Sequence, residues 1–258
     1  MVKISAVIAL SAAFLTSAGS IWSVTAAEVR VVANDAVRKP MLAITSKFEK
    51  DTTHSIVTTY GPANSIEPRL TADPRTDIVF WSLSELNNLV RAGRIAPDYP
   101  KVVGRVRIGI AHRVGTPKPD VSSVAKLRAV IEATPSFAYG NPKSGVPTDA
   151  HVVRMLEELR LDKELREKGV MREGGVAVLM DVADRRAALG FAQASEIAAF
   201  PGVALAGFMP DSVQLTTVHA AALTKSGKEN PAAVELFKLI IGEPASYVFE
   251  RSGFDIRR

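Results

Sequence analysis

The stretch "VVANDAVRKP", residues 31–40, decides the fold. A short apolar run, Val29 to Ala33, stops at Asn34-Asp35, and a helical pattern takes over from Pro40 to Asp51. Asn and Asp at such a step satisfy the free N–H groups that open a helix. The same N–H groups also attract anions, so the step reads equally as one wall of a ligand site. Working outward, the step recurs. "HSIVTTYG" (54–61) reads as a strand, followed by Asn64-Ser65 and a short helix, "SIEPRLTADP" (65–74), with Pro68 tolerable in its first turn. "TDIVFW" (76–81) reads as a strand and Ser84 to Ala92 as a helix stopped by Gly93. Three βα units in series predict an α/β fold with a parallel sheet covered by helices.

The pattern continues with strands "RVRIGIAHR" (105–113), "SFAYGNP" (136–142), "LGFAQ" (189–193), "VALAGFMP" (203–210) and "LTTVHAAALT" (215–224). Helices are expected over Val124–Ala133, Thr148–Arg160, 175–187 and Ala232–Ile241, the last opened by Pro231. The charged run Arg160 to Arg172 alternates Lys/Arg with Glu and reads as a solvated helix face. The expected organisation is two lobes. Residues 28–107 with the tail 213–258 form the first, residues 108–212 the second, and each is a mainly parallel sheet flanked by helices. Ligands of such sheets sit beyond the carboxyl ends of the strands, here in a cleft between the lobes.

The opening "MVKISAVIALSAAFLTSAGSIWSVTAAEV" has Lys3, a short apolar core and small residues before Glu28. This is the pattern of a secretory signal peptide, residues 1–27. The chain has no cysteine, which excludes disulfides and thiolate metal sites. Export without disulfides suits a bacterial periplasm. The four histidines, His54, His112, His151 and His219, have no ligand spacing, so no metal is expected, and no motif calls for a cofactor. The net charge of +5 is modest and no aromatic residues interleave the basic ones, so nucleic acid is not an expected partner. The balance mildly favours a small anionic ligand.

The turns after the strands share a character. They are Asn34 to Arg38, Tyr60 to Ser65, Trp81 to Ser84, Asn141 to Thr148, and Ala192 to Ser195. Small polar residues and exposed backbone recur in each, an arrangement that points several helix starts into one cleft.

With these turns in place, the chain resembles the periplasmic solute-binding proteins of the molybdate-binding type. The resemblance is carried by "YGPANSIEPRL" (60–70), "TDIVFWSLSELNNLVRAGRI" (76–95), "GRVRIGIAHRVGTPKPDVSS" (104–123), "YGNPKSGVPTDAHVVRMLEEL" (139–159) and "LGFAQASEI" (189–197). The third and fifth look most like a divergent branch that also contains aconitate isomerases. The resemblance implies a two-lobed, hinged fold of the type II periplasmic-binding-protein kind, acting as a monomer with an ABC permease in the inner membrane. It assigns ligand contacts to Asn34, Asp35 and Ala36, to Asn64 and Ser65, to Gly145, Val146 and Thr148, and to Gln193. The first loop lacks the serine of molybdate binders, and Phe191 stands in the loop where they use a tyrosine hydroxyl. A small organic acid therefore fits better than molybdate, with Arg38 or Arg69 as a carboxylate partner. If the chain is instead an isomerase of the aconitate type, it needs a proton-transferring base, and Asp35, Glu67 and His151 are the candidates. Trp81 and Lys143 read equally as core or surface residues and as ligand contacts.

Overall fold

The structure, a computed structural model, describes residues 26–144 and 146–256. The expected signal peptide lies almost wholly outside the described residues, and so does Gly145. Three βα units open the fold: β1 (Glu28–Asn34) with α1 (Arg38–Asp51), β2 (Ser55–Gly61) with α2 (Ile66–Ala72), and β3 (Ile78–Ser82) with α3 (Leu83–Arg91). A long strand, β4 (Lys101–Arg113), leads into α4 (Val124–Ala133), β5 (Phe137–Gly140), α5 (Pro147–Glu158), α6 (Asp162–Lys168) and β6 (Gly169–Arg172). Then come α7 (Gly175–Ala183), β7 (Leu189–Gln193), α8 (Ala194–Ala199) and β8 (Val203–Phe208). The tail holds β9 (Thr216–Leu223), α9 (Lys225–Glu229), α10 (Pro231–Ile241) and α11 (Glu243–Glu250).

The strands follow one hydrogen-bonded path, β2-β1-β3-β9-β4-β7-β5-β6, with β8 also on β4. The pairs β1–β2, β1–β3, β5–β6 and β5–β7 are parallel, as βα connections require. β9 enters antiparallel between β3 and β4. β4 belongs to both halves of the path. Its first part, Lys101 to Arg107, pairs with β9, and its second part, Ile108 to Arg113, pairs with β7 and β8. The two halves of the molecule therefore share a single continuous strand.

The period of two along β1 explains why the first half is covered on both faces. Val29, Val31 and Ala33 pack against α1, α10 and α11 through Met41, Ile44, Leu236 and Phe249. Val32, from the same strand, faces the other way and joins Ile66, Val79, Trp81 and Leu86. Trp81 is thus a core side chain. The second half repeats this plan. Ile108, Ile110, Phe137 and Phe191 pack against α4 and α5 on one face, and Ala111, Ala138 and Ala192 pack against α7 on the other.

Three elements differ from the sequence reading. Residues 160–172 are not one helical face: α6 ends at Lys168, and Gly169 to Arg172 form β6, which pairs in register with β5. The short α8 follows β7 without a loop. β4 begins at Lys101, four residues before the expected start. In each case pairing or packing with distant residues overrides a weak local signal.

The second passage between halves, from β8 to β9, is fastened to Ile108 by the side chain of Gln214. Gln214 Oε1 accepts from Ile108 N at 2.8 Å, and its Nε2 donates to Ile108 O at 3.1 Å and to Met209 O at 3.0 Å. Ile108 is the residue at which β4 changes partners. Both passages are therefore fastened at the same point.

Candidate functional site

Five turns at the carboxyl ends of strands meet around a cavity of about 220 Å³. From the first half come Asn34 to Ala36 after β1, and Pro62 and Ala63 after β2. From the second come Val146, Thr148 and Asp149 at the start of α5, Glu173 to Ala177 at the start of α7, and Gln193 with Glu196 at the start of α8. The helix starts after β1 and β2 and those of α5 and α7 carry no side-chain cap. Those of α3, α4, α9 and α10, which open elsewhere, are closed by Ser82, Ser123, Thr224 and Asn230, while α6 and α11, also away from the cavity, carry no side-chain cap. First-turn N–H groups without a cap are donors available to a ligand. A larger cavity, about 530 Å³, opens near Pro117, Val130 and Leu189, but no helix starts converge on it.

A buried relay crosses the floor of the smaller cavity. Asn34 Nδ2 lies 3.2 Å from His219 Nδ1, and His219 Nε2 lies 2.9 Å from Gln193 Oε1. Gln193 Nε2 lies 3.4 Å from Thr148 Oγ1. With Asn34 donating to Nδ1, the ring proton sits on Nε2 and is given to Gln193. His219 is 1 % exposed, and burial pushes its pKa down to about 4, so the ring is neutral at physiological pH. The relay spends the acceptor of Gln193 on His219. Gln193 Nε2 gives one N–H to Thr148 Oγ1, so its second amide N–H and the Thr148 hydroxyl hydrogen are left as donors.

The carboxyl groups of the cavity are unusually numerous. Asp35 Oδ1 pairs with Arg38 Nη2 at 2.6 Å, and the Arg38 guanidinium lies 4.4 Å from the centre of the Tyr60 ring. Asp149 Oδ2 accepts from Ser144 Oγ at 3.0 Å; burial pushes its pKa up to about 6. Glu196 Oε2 accepts from Gln193 N at 3.2 Å, closing the start of α8; desolvation pushes its pKa up to about 8. Glu173 Oε1 accepts from Asn141 Nδ2 at 2.8 Å. Two glycines make room for these groups. A Cβ at Gly140 would lie 1.9 Å from Asp149 Oδ1, and one at Gly175 would lie 2.2 Å from Glu196 Oε2.

The expected site residues divide. Asn34, Asp35, Ala36, Val146, Thr148 and Gln193 line the cavity together. Asn64 and Ser65 do not; their loop contributes Pro62 and Ala63 instead, and Ser65 Oγ donates to Pro62 O. Arg38 is turned to Asp35, and Arg69 donates to Tyr60 O from beneath the second turn. Glu67 is exposed on α2, 3.5 Å from Arg94. His151 is bound through Nε2 to Val213 O at 2.8 Å and faces Arg154, away from the cavity. Lys143 is exposed and outside it. Sequence reading missed Asp149, Glu173, Glu196 and His219. The signal for Glu173 was Glu173-Gly174-Gly175, which reads as the turn from a strand into the helix expected at 175 once β6 is recognised before it.

The chain is similar to known proteins over nearly its whole length. The chain is 28% identical over 252 residues to an aconitate isomerase of Pseudomonas sp, covering 95% of this chain and 94% of that protein. It is 28% identical over 269 residues to the molybdate-binding protein ModA of Azotobacter vinelandii, covering 97% of each. Among solved structures, the Azotobacter vinelandii periplasmic molybdate-binding protein superimposes with a TM-score of 0.73 at 18% identity, over 89% of this chain and all of that one. The model of the bacterial extracellular solute-binding proteins matches residues 29–255, and the chain belongs to that family.

Proposed function

We propose that this protein is a periplasmic substrate-binding protein that captures a small organic acid between two lobes and delivers it to an ABC permease. The lobes are 28–107 with 213–258, and 108–212. One observation carries the reading: uncapped helix starts from both halves converge on a single cavity, joined beneath by the Asn34–His219–Gln193 relay. Preorganised N–H donors of this kind suit a carboxylate and need no metal or cofactor. Asn34, Asp35, Ala36, Val146, Thr148 and Gln193 are the proposed contacts, with Glu173, Gly175 and Glu196 added. The cavity is small, which suits a ligand of a few carbons. Closure is supported by Lys39 Nζ of α1, which donates to Ala198 O in the last turn of α8 at 2.8 Å and so bridges the halves at the favourable end of that helix. The test is a thermal-shift screen of the chain from Glu28, using molybdate, tungstate, sulfate, citrate, aconitate and smaller carboxylic acids. Carboxylic acids raise the melting temperature by mass action. A shift with molybdate and tungstate alone would sink the organic-acid reading.

A second reading, an isomerase of the aconitate type, is favoured by the acids in the cavity. Moving a double bond requires a group that takes a proton and returns it, and Glu196, with a pKa near 8, carries an exchangeable proton at neutral pH. Incubating the protein with cis-aconitate in D2O and following the ligand by NMR separates the two. Product formation that disappears in Glu196→Gln supports the isomerase. An unchanged ligand with a raised melting temperature supports the binding protein.

A further inference from the structure

This inference rests on the organic-acid reading and narrows it. The side chains of the cavity are unbalanced in hydrogen-bonding sense. On the acceptor side stand the carboxyl groups of Asp35, Asp149, Glu173 and Glu196, each with one oxygen already engaged. Asn34 joins them: it is 5 % exposed, lines the cavity, and its Oδ1 has no hydrogen-bond partner among the described residues. On the donor side are a Gln193 amide N–H, the Thr148 hydroxyl, the open N–H groups of α7, and backbone N–H at the start of α5, where Pro147 has no N–H and those of Val146 and Asp149 are already engaged. Among the described residues lining the cavity there is neither lysine nor arginine.

A tetrahedral oxyanion or a fully ionised polycarboxylate without a hydroxyl presents only acceptors. It would satisfy the helix starts and leave its remaining oxygens against carboxylates, where like charges repel and acceptors go unpaired. The raised pKa values of Asp149 and Glu196, caused first by burial, are the response of carboxyls that no nearby cation compensates. Even with Glu196 protonated, Asp35, Glu173 and Asn34 Oδ1 remain acceptors in need of a hydrogen. A ligand ammonium is not required to supply it, because Asp35 is already paired with Arg38. A neutral hydroxyl suffices.

We propose that the cavity selects small hydroxylated carboxylic acids. The carboxylate lies against the starts of α5 and α7 and the Gln193 amide, and a hydroxyl hydrogen is given to the acceptors around Asn34, Glu173 and Glu196. The site thereby discriminates against ligands that have no hydrogen to give.

The experiment is isothermal titration with matched pairs that differ by one hydroxyl: malate against succinate, citrate against propane-1,2,3-tricarboxylate, and lactate against propionate. Molybdate and sulfate serve as donor-free anions, and aspartate as the amine. The hydroxylated member of at least one pair binds about tenfold or more tightly than its partner, the effect of one good hydrogen bond. Glu173→Ala, an exposed position that the fold does not need, brings that ratio towards one while the melting temperature stays put. Equal affinities within every pair that binds, or tighter binding of molybdate, sulfate or aspartate than of any hydroxy acid, would overturn the proposal and leave a small-anion site standing. Silence from every acid and oxyanion would remove the organic-acid reading and this proposal together.

Discussion

Asn34 is the residue at which the first strand stops, and it opens a helix without capping it. Its side chain turns instead to His219 on β9, and its neighbour Asp35 is held by Arg38. The side chain that a sequence reader assigns to a cap is therefore spent on the floor of the cavity. His219 acts as a positioning residue, since it orients Gln193 as a donor. His219→Ala frees the Gln193 amide to flip, and affinity for the ligand found in the thermal-shift screen falls about tenfold or more by titration calorimetry. The fold survives, with a cost of about 1–3 kcal/mol for the buried bonds lost. An unchanged affinity would show that the relay is only structural. Gly140 makes a second case. Its missing Cβ accommodates Asp149, so Gly140→Ala overpacks the site and costs about 1–3 kcal/mol in chemical denaturation. Adding Asp149→Ala restores most of that loss if the collision is the cause.

Among the elements, the contrast between capped and uncapped helices separates stability from binding. Asn230 Oδ1 accepts from Ala232 N at 3.1 Å and Ala233 N at 3.4 Å at the start of α10, far from the cavity. Asn230→Ala lowers stability by about 1 kcal/mol and leaves ligand affinity as it was. At the start of α7, Gly174 adopts φ +85°, a left-handed conformation open mainly to glycine, and Gly175 lies against Glu196. Gly175→Ala pushes the Glu196 carboxyl away and shows the reverse pattern: a marked loss of affinity with a small change in melting temperature. Equal effects on both properties in both variants would mean that the uncapped starts have no special part in binding.

For the whole molecule, three of the buried groups with shifted pKa values, His219, Asp149 and Glu196, make stability depend on pH with opposite signs. His219 has its pKa lowered from 6.5 to about 4, so its contribution is fully present above pH 6.5 and is lost as pH falls towards 4. Asp149, raised from 3.8 to about 6, and Glu196, raised from 4.5 to about 8, hold protons that the unfolded chain releases. Their contributions are complete below the unfolded values and are lost as pH rises through the folded ones. Between pH 4 and 6 the histidine and the aspartate oppose each other. From pH 6.5 to 8 Glu196 loses its contribution, with the last of that of Asp149 and the same sign, so the melting temperature of the ligand-free protein falls over that range. Glu196→Gln flattens the fall, and an equal slope in that variant would contradict the assignment. Gln214 tests the passage between halves. Gln214→Ala strips the bonds to Ile108 and Met209 and costs about 1–3 kcal/mol, read as a lower urea midpoint.

The sequence by itself determined the α/β class, the succession of strand-to-helix turns and half of the cavity wall. Apolar periodicity and Gly, Pro, Asn and Ser punctuation are local signals, and the turns after β1 and β7 carry them plainly in Asn34-Asp35 and Gln193. Local signals failed where a partner does the deciding. Gly169 to Arg172 became a strand only because β5 offers it an edge, and with that strand unseen the helix expected from residue 175 was not read as the start after a strand and its neighbour Glu173 was missed. His219 sits in an ordinary-looking strand, "TTVHAAAL", and nothing nearby marks it. Its role exists because β9 is inserted between β3 and β4, which brings its ring within reach of Asn34 and Gln193 from opposite halves. Tertiary structure alone decided which polar side chains meet, because hydrogen-bond partners 26 and 185 residues apart leave no pattern in sequence spacing.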